Sequence, residues 1–139
     1  MTLVHLLQIA GALHLGLMAA GLLMPHVVGM RSHLASMPRF LRQLFWVYYA
    51  FIGLCLIGFS LITIAFAETL AAGGTLARAL CAFLAVFWTM RLIVATFVFD
   101  LQPYLTSRAR IVGYHATNLV FAYLPVVYVL AASQPSWLK

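Results

Sequence analysis

Apolar residues run through this chain in four long blocks, each close to the roughly 20 residues a helix needs to cross a bilayer core. They extend from about Leu3 to Met24, Gln43 to Ala67, Thr75 to Phe99 and Ile111 to Ala132. The blocks are too long for strands and show no alternation of period two, which excludes a lipid-facing barrel. Pro25 follows the first block, Glu68 the second, Asp100, Gln102 and Pro103 the third, and Ser133 and Pro135 the fourth. Proline just past a span suits a helix that has to stop. The pattern predicts an all-α integral membrane protein, an antiparallel four-transmembrane-helix bundle, with residues 1–139 as a single domain.

Composition strengthens that reading. The chain is 65% hydrophobic and 7% charged, with a mean hydropathy of +1.07. Soluble domains are about 25% charged, so too few polar side chains are present to cover a water-facing surface. The first block has no Lys or Arg before it and is longer than the apolar core of a signal peptide. It is read as the first span. With no targeting segment and so small a size, a bacterial inner membrane is the expected location.

Charge then orients the spans. The net charge of +6 comes from eight basic residues against Glu68 and Asp100. Arg31, Arg39 and Arg42 lie between spans one and two, and Arg108 and Arg110 between spans three and four. The middle connection has Arg78 opposed by Glu68. The positive-inside rule puts the first and third connections in the cytoplasm and both termini on the other side. The cations sit between apolar runs and form no aromatic-interleaved basic face, which speaks against nucleic acid as a partner. The first connection mixes Met30, Leu34, Met37, Phe40 and Leu41 with Arg and His. It reads either as a plain basic loop or as an interfacial segment lying along anionic headgroups.

Small residues mark close helix approach. They recur as Ala12, Gly16 and Ala20 in span one, and as Ala77, Cys81, Ala85 and Thr89 in span three. In span two Tyr49, Gly53, Ser60 and Thr63 share a stripe. Pro125 inside span four removes a backbone donor and predicts a kink there. Cys55 and Cys81 have no ligand spacing, so no metal site follows from them.

Arg91 is the clearest functional signal. It lies about nine residues from the cytoplasmic end of span three, roughly 13 Å deep, where a guanidinium costs about 2.5–3.5 kcal/mol on insertion scales. No acidic residue lies at its depth, so carbonyls, tyrosine oxygens or an anionic ligand must serve it. Trp88, one turn earlier on the same face, is placed to stack on the guanidinium. The cytoplasmic half also receives His14 from span one, Tyr48 and Tyr49 from span two, and Tyr114, His115 and Asn118 from span four. Each has a plain structural reading as an interhelical hydrogen bond or an interfacial aromatic.

Three functions follow from this cluster, besides a transporter or channel formed by several copies, for which no acidic ring or Arg ladder supplies ion selectivity. The first is an accessory subunit of a membrane complex or a small binding module. Its partners would be the bilayer, an anionic lipid, a quinone or other amphipathic ligand, and a membrane protein or a second copy. The second is a redox protein with b-type haem, His14 and His115 being the candidate axial ligands. Their depths differ by about six residues, roughly 9 Å, so the macrocycle would have to tilt strongly. The third is an embedded enzyme acting on a lipid or porphyrin, with His14 or His115 as acid/base and Arg91 holding an anionic group. The stretch Ala20-Gly21-Leu22-Leu23-Met24-Pro25 resembles the end of the first span in the small multispan protoporphyrinogen oxidases. The likeness covers only those residues, the His spacing differs, and Arg91 stands where a Lys is expected, so the chain is not assigned to that family.

Overall fold

The computed structural model describes residues 2–134, which leaves Pro135, read above as closing the fourth span, outside the described residues. The structure is all-helical, 87% helix with no strand among the described residues. Six helices follow in order: α1 Leu3–Val27, α2 Met30–Ala35, α3 Arg39–Ala65, α4 Ala67–Ala72, α5 Thr75–Phe97 and α6 Arg108–Ser133. A 3₁₀ turn at Gln102–Tyr104 lies between α5 and α6. The four long helices, α1, α3, α5 and α6, are each long and apolar enough to cross a membrane.

The ends differ from the sequence reading in instructive ways. Helix α1 does not stop at Pro25 but carries it inside and runs on to Val27. A proline in a last turn removes a single backbone bond, the one to the carbonyl four residues earlier, here Gly21. That carbonyl receives the Tyr49 hydroxyl instead. Helix α3 starts at Arg39, directly after Pro38, and ends at Ala65. A break at Phe66 (φ −112°, ψ 23°) then resets the chain into α4, so Glu68 falls in a first turn, where a negative charge suits the helix dipole. Helix α5 ends at Phe97 rather than Phe99. Helix α6 begins at Arg108, where the Ser107 hydroxyl accepts from the Arg110 amide at 3.3 Å.

Pairing is most extensive between α5 and α6 and between α1 and α3, with α1 and α6 joining the two pairs. Ser60 donates to the Gly11 carbonyl and Tyr49 to the Gly21 carbonyl, so numbers fall along α3 as they rise along α1. At Gly11 these two helices approach closely. A Cβ there would run into the Ile64 side chain and lie 3.3 Å from the Ile64 backbone nitrogen. On the other pair, Arg78 donates to the Ala132 carbonyl at 2.8 Å, supplying a cation and a donor to the last turn of α6.

Most of the core lies in the half that holds the start of α1, α4 and the end of α6. It comprises Leu3, Leu7, Ala10 and Leu17 of α1, Ala67 and Leu70 of α4, Ala77, Cys81, Leu84, Ala85, Trp88 and Ala95 of α5, and Phe121, Leu124, Val127, Tyr128 and Ala131 of α6. Helix α3 buries only Ser60 and Thr63. Its first five turns stay open, with Tyr48, Phe51, Ile52 and Leu54 all exposed. The small-residue stripe expected to seat α1 faces outward: Ala12, Gly16 and Ala20 are exposed, and nothing approaches Gly16. The neighbouring stripe that carries leucines and His14 is buried instead, because it removes far more apolar area from the surroundings. In α5 three members of the expected stripe, Ala77, Cys81 and Ala85, are buried, whereas Thr89 is exposed.

Candidate functional site

The polar residues of the long helices form two centres joined by aromatic rings. The first is built on His14, which is fully buried. Its Nδ1 lies 2.6 Å from the Ala10 carbonyl one turn earlier, and Trp88 Nε1 donates to its Nε2 at 3.1 Å. A carbonyl only accepts and an indole only donates, which assigns the proton to Nδ1 and leaves Nε2 as acceptor. The ring is enclosed edge-on by Trp88, Tyr128 and Phe59 at centroid distances of 5.1, 6.1 and 6.2 Å. Around it, the hydroxyls of Tyr128 and Thr63 pair at 2.7 Å, Ser60 donates to the Gly11 carbonyl at 2.8 Å, and Tyr123 donates to the Leu6 carbonyl at 3.1 Å. Among the described residues no buried side-chain nitrogen or oxygen lacks a partner. Four helices are thereby tied by one satisfied network, which fixes helix register where apolar contacts alone would let neighbours slide.

The second centre is Arg91. Its guanidinium carbon lies 5.2 Å from the Phe99 ring centroid and 5.1 Å from that of Phe121. The expected stacking partner, Trp88, is engaged elsewhere: its N–H goes to His14 and its face stacks on Phe121 at 5.8 Å. Phe121 is therefore the shared ring between the two centres. Because α5 ends at Phe97, Arg91 lies only six residues from the helix end, roughly 9 Å along the axis, shallower than the sequence suggests. Phe99 belongs to the segment beyond that end, and its ring reaches back to the guanidinium. Among the described residues Arg91 donates no side-chain hydrogen bond and pairs with no carboxylate. Asp100 is spent locally, its Oδ1 accepting from the Gln102 amide at 3.1 Å, while Arg110 turns to the Tyr104 carbonyl and the Thr106 hydroxyl. Two phenyl rings attract the cation through their faces but leave its N–H edges without acceptors.

The remaining candidates separate. Tyr49 closes the α1–α3 seam through Gly21, whereas Tyr48 points outward. Tyr114 is half-buried with its ring 5.3 Å from that of His115, which is exposed; Asn118 is half-buried. Thus His14 and Trp88 are in contact, Arg91 is linked to them only through the Phe121 ring, and Tyr48 and His115 join neither centre. Ser60 and Thr63 were visible as polar residues in an apolar run, but Tyr128, Phe99 and Phe121 carried no signal separating them from ordinary apolar and interfacial aromatics.

The histidines do not fit the two axial positions of one haem. Both His14 nitrogens are already bonded, and ligation through Nε2 would strip Trp88 of its acceptor in the core. His115 is exposed on α6, and it lies thirteen positions before Tyr128, which flanks His14, a distance of roughly 20 Å along the helix. Nor does His14 have a nitrogen free for acid/base work. No group of three or more His, Cys, Asp or Glu able to hold a metal ion occurs among the described residues. Comparison with known protein families, with curated proteins and with solved structures finds no match.

Proposed function

We propose that this chain is an integral membrane protein, an antiparallel bundle of four transmembrane helices. In this reading it lies in a bacterial inner membrane with both termini on the non-cytoplasmic side. It performs no chemistry of its own and serves as a small binding module or accessory subunit of a membrane complex, with Arg91 receiving an anionic or carbonyl-bearing group. One observation carries the reading. Every buried polar side chain among the described residues is paired, whereas Arg91 meets only the rings of Phe99 and Phe121. A paired network holds helices together. A half-buried guanidinium with open N–H edges and no acid beside it favours an acceptor from outside the chain. The open apolar face of α3 suits lipid or the helices of a partner.

The test is purification from native membranes in mild detergent, comparing wild type with Arg91→Gln. The expected result is a co-purifying protein or small amphipathic molecule that the variant loses while it still inserts and unfolds at a similar temperature. A monomer with nothing bound in either form would overturn the binding role. Recovery in the soluble fraction after carbonate extraction would overturn the membrane assignment.

A further inference from the structure

At the opposite end of the α1–α3 pair from the buried core, the short helix α2 and the start of α3 border an open hollow of about 330 Å³. Its lining consists of Arg31, Leu34 and Ala35 from α2 and Arg42 and Trp46 from α3. Two guanidiniums thus border one small hollow whose other walls are apolar. Leu34 is buried beneath it, and Trp46 lies one turn beyond Arg42. The Trp46 wall is held in place: its ring packs edge-on against Phe45 at 5.5 Å and Tyr49 at 5.8 Å, and Tyr49 is in turn bonded to the Gly21 carbonyl of α1. No carboxylate lines the cavity. The chain has only two, of which Asp100 is occupied by the Gln102 amide and Glu68 lies in α4 beyond the far end of α3. Among the described residues neither Arg31 nor Arg42 donates a side-chain hydrogen bond.

We propose that this cavity binds the phosphate of an anionic phospholipid headgroup, with Arg31 and Arg42 as donors and Trp46 as the apolar wall. The inference rests on the membrane assignment above but not on a role for Arg91. Guanidinium forks match phosphate oxygens in charge and geometry. Ligand sites run from about 300 to 1,000 Å³, so this one is sized for a headgroup and not for a whole lipid. The hollow lies at the start of α3, and Leu34 and Trp46 give it an apolar flank beside the two guanidiniums. A free phosphate ion would use the arginines and leave the apolar lining of Leu34 and Trp46 without a role. Basic residues at the cytoplasmic headgroup level gain further from the anionic surface.

The purified protein in neutral detergent is titrated with phosphatidylglycerol and, separately, phosphatidylcholine, and bound lipid is counted by native mass spectrometry. Phosphatidylglycerol is expected to bind preferentially. Arg31→Gln and Arg42→Gln each weaken it by roughly fivefold, and the double variant by more than about tenfold. The charge-preserving pair Arg31→Lys and Arg42→Lys retains most of the binding, which separates loss of charge from loss of fold. Equal binding of the two lipids, or an undiminished double variant, overturns the proposal. Displacement of the lipid by inorganic phosphate at similar concentration assigns the site to the free ion and overturns the lipid source. Loss of the lipid in Arg91→Gln alone, with the double variant unaffected, moves the anion to Arg91 and overturns this site while leaving the proposed function standing.

Discussion

The Tyr49 hydroxyl donates to the carbonyl of Gly21, the one backbone acceptor in α1 that Pro25 deprives of its usual amide. A side chain of one helix thus completes the hydrogen bonding of another, and α1 continues past a residue that ordinarily marks its end. Tyr49→Phe removes the donor and is expected to destabilise the protein by about 1 kcal/mol. In a Pro25→Ala background the amide returns, so the same substitution costs much less. Reversible unfolding in mixed micelles, read as a double-mutant cycle, measures the difference; an equal cost in both backgrounds refutes the relationship.

Trp88 and His14 form the central polar contact of the core, and each relies on the other. Trp88→Phe keeps most of the ring volume but leaves the His14 Nε2 without a donor, at a cost of about 1–3 kcal/mol. His14→Leu alone strands the indole N–H comparably. Combined, the two exchange a paired polar contact for apolar packing and should cost less than the sum. Strict additivity in the same unfolding assay would show that the contact contributes nothing.

Gly11 sets the separation of α1 and α3. Gly11→Ala introduces a Cβ into the Ile64 side chain and is expected to cost about 1–3 kcal/mol through overpacking. Ile64→Ala removes the obstructing atoms and should recover part of that loss in the double variant. By contrast Gly16→Ala, with nothing nearby, should leave stability unchanged or raise it by about 1 kcal/mol through helix propensity.

Arg91 is held by ring faces on two sides. Arg91→Lys keeps the charge but lacks the planar surface that lies over Phe99 and Phe121, so it should not restore what Arg91→Gln loses. Phe99→Leu, which removes one ring from the end of the helix, is expected to weaken that positioning while leaving the His14 network intact. Retention of any co-purifying ligand, set against thermal stability, distinguishes the two effects.

The occupied nitrogens of His14 and the distance to His115 predict a protein without a bound b-type haem. An absorbance spectrum of the detergent-purified sample, oxidised and then reduced with dithionite, should show no Soret band. A band that shifts on reduction would overturn the assignment of His14 to a structural role.

The number and span of the long helices were legible in the chain because apolar block length is a local property: roughly 20 residues without charge can do little else. That Arg91 and His14 fall inside long helices was legible for the same reason, since a polar residue inside such a block stands out by contrast. What the sequence could not specify was which face of each helix turns inward. In α1 the Ala12–Gly16–Ala20 stripe and the Leu7–His14–Leu17 stripe are both plausible seams, and only packing against α3 and α6 selected the second. The same held for partners. Trp88 sits one turn from Arg91, which made stacking the natural local reading, yet a fully buried imidazole needing a donor lies across the bundle and takes the indole instead. Phe121 and Phe99, unremarkable in sequence, then became the surfaces beside the guanidinium. Local pattern determined where polar groups sit along each helix; their partners, chosen between helices by shape and hydrogen-bond demand, were settled only by tertiary contact.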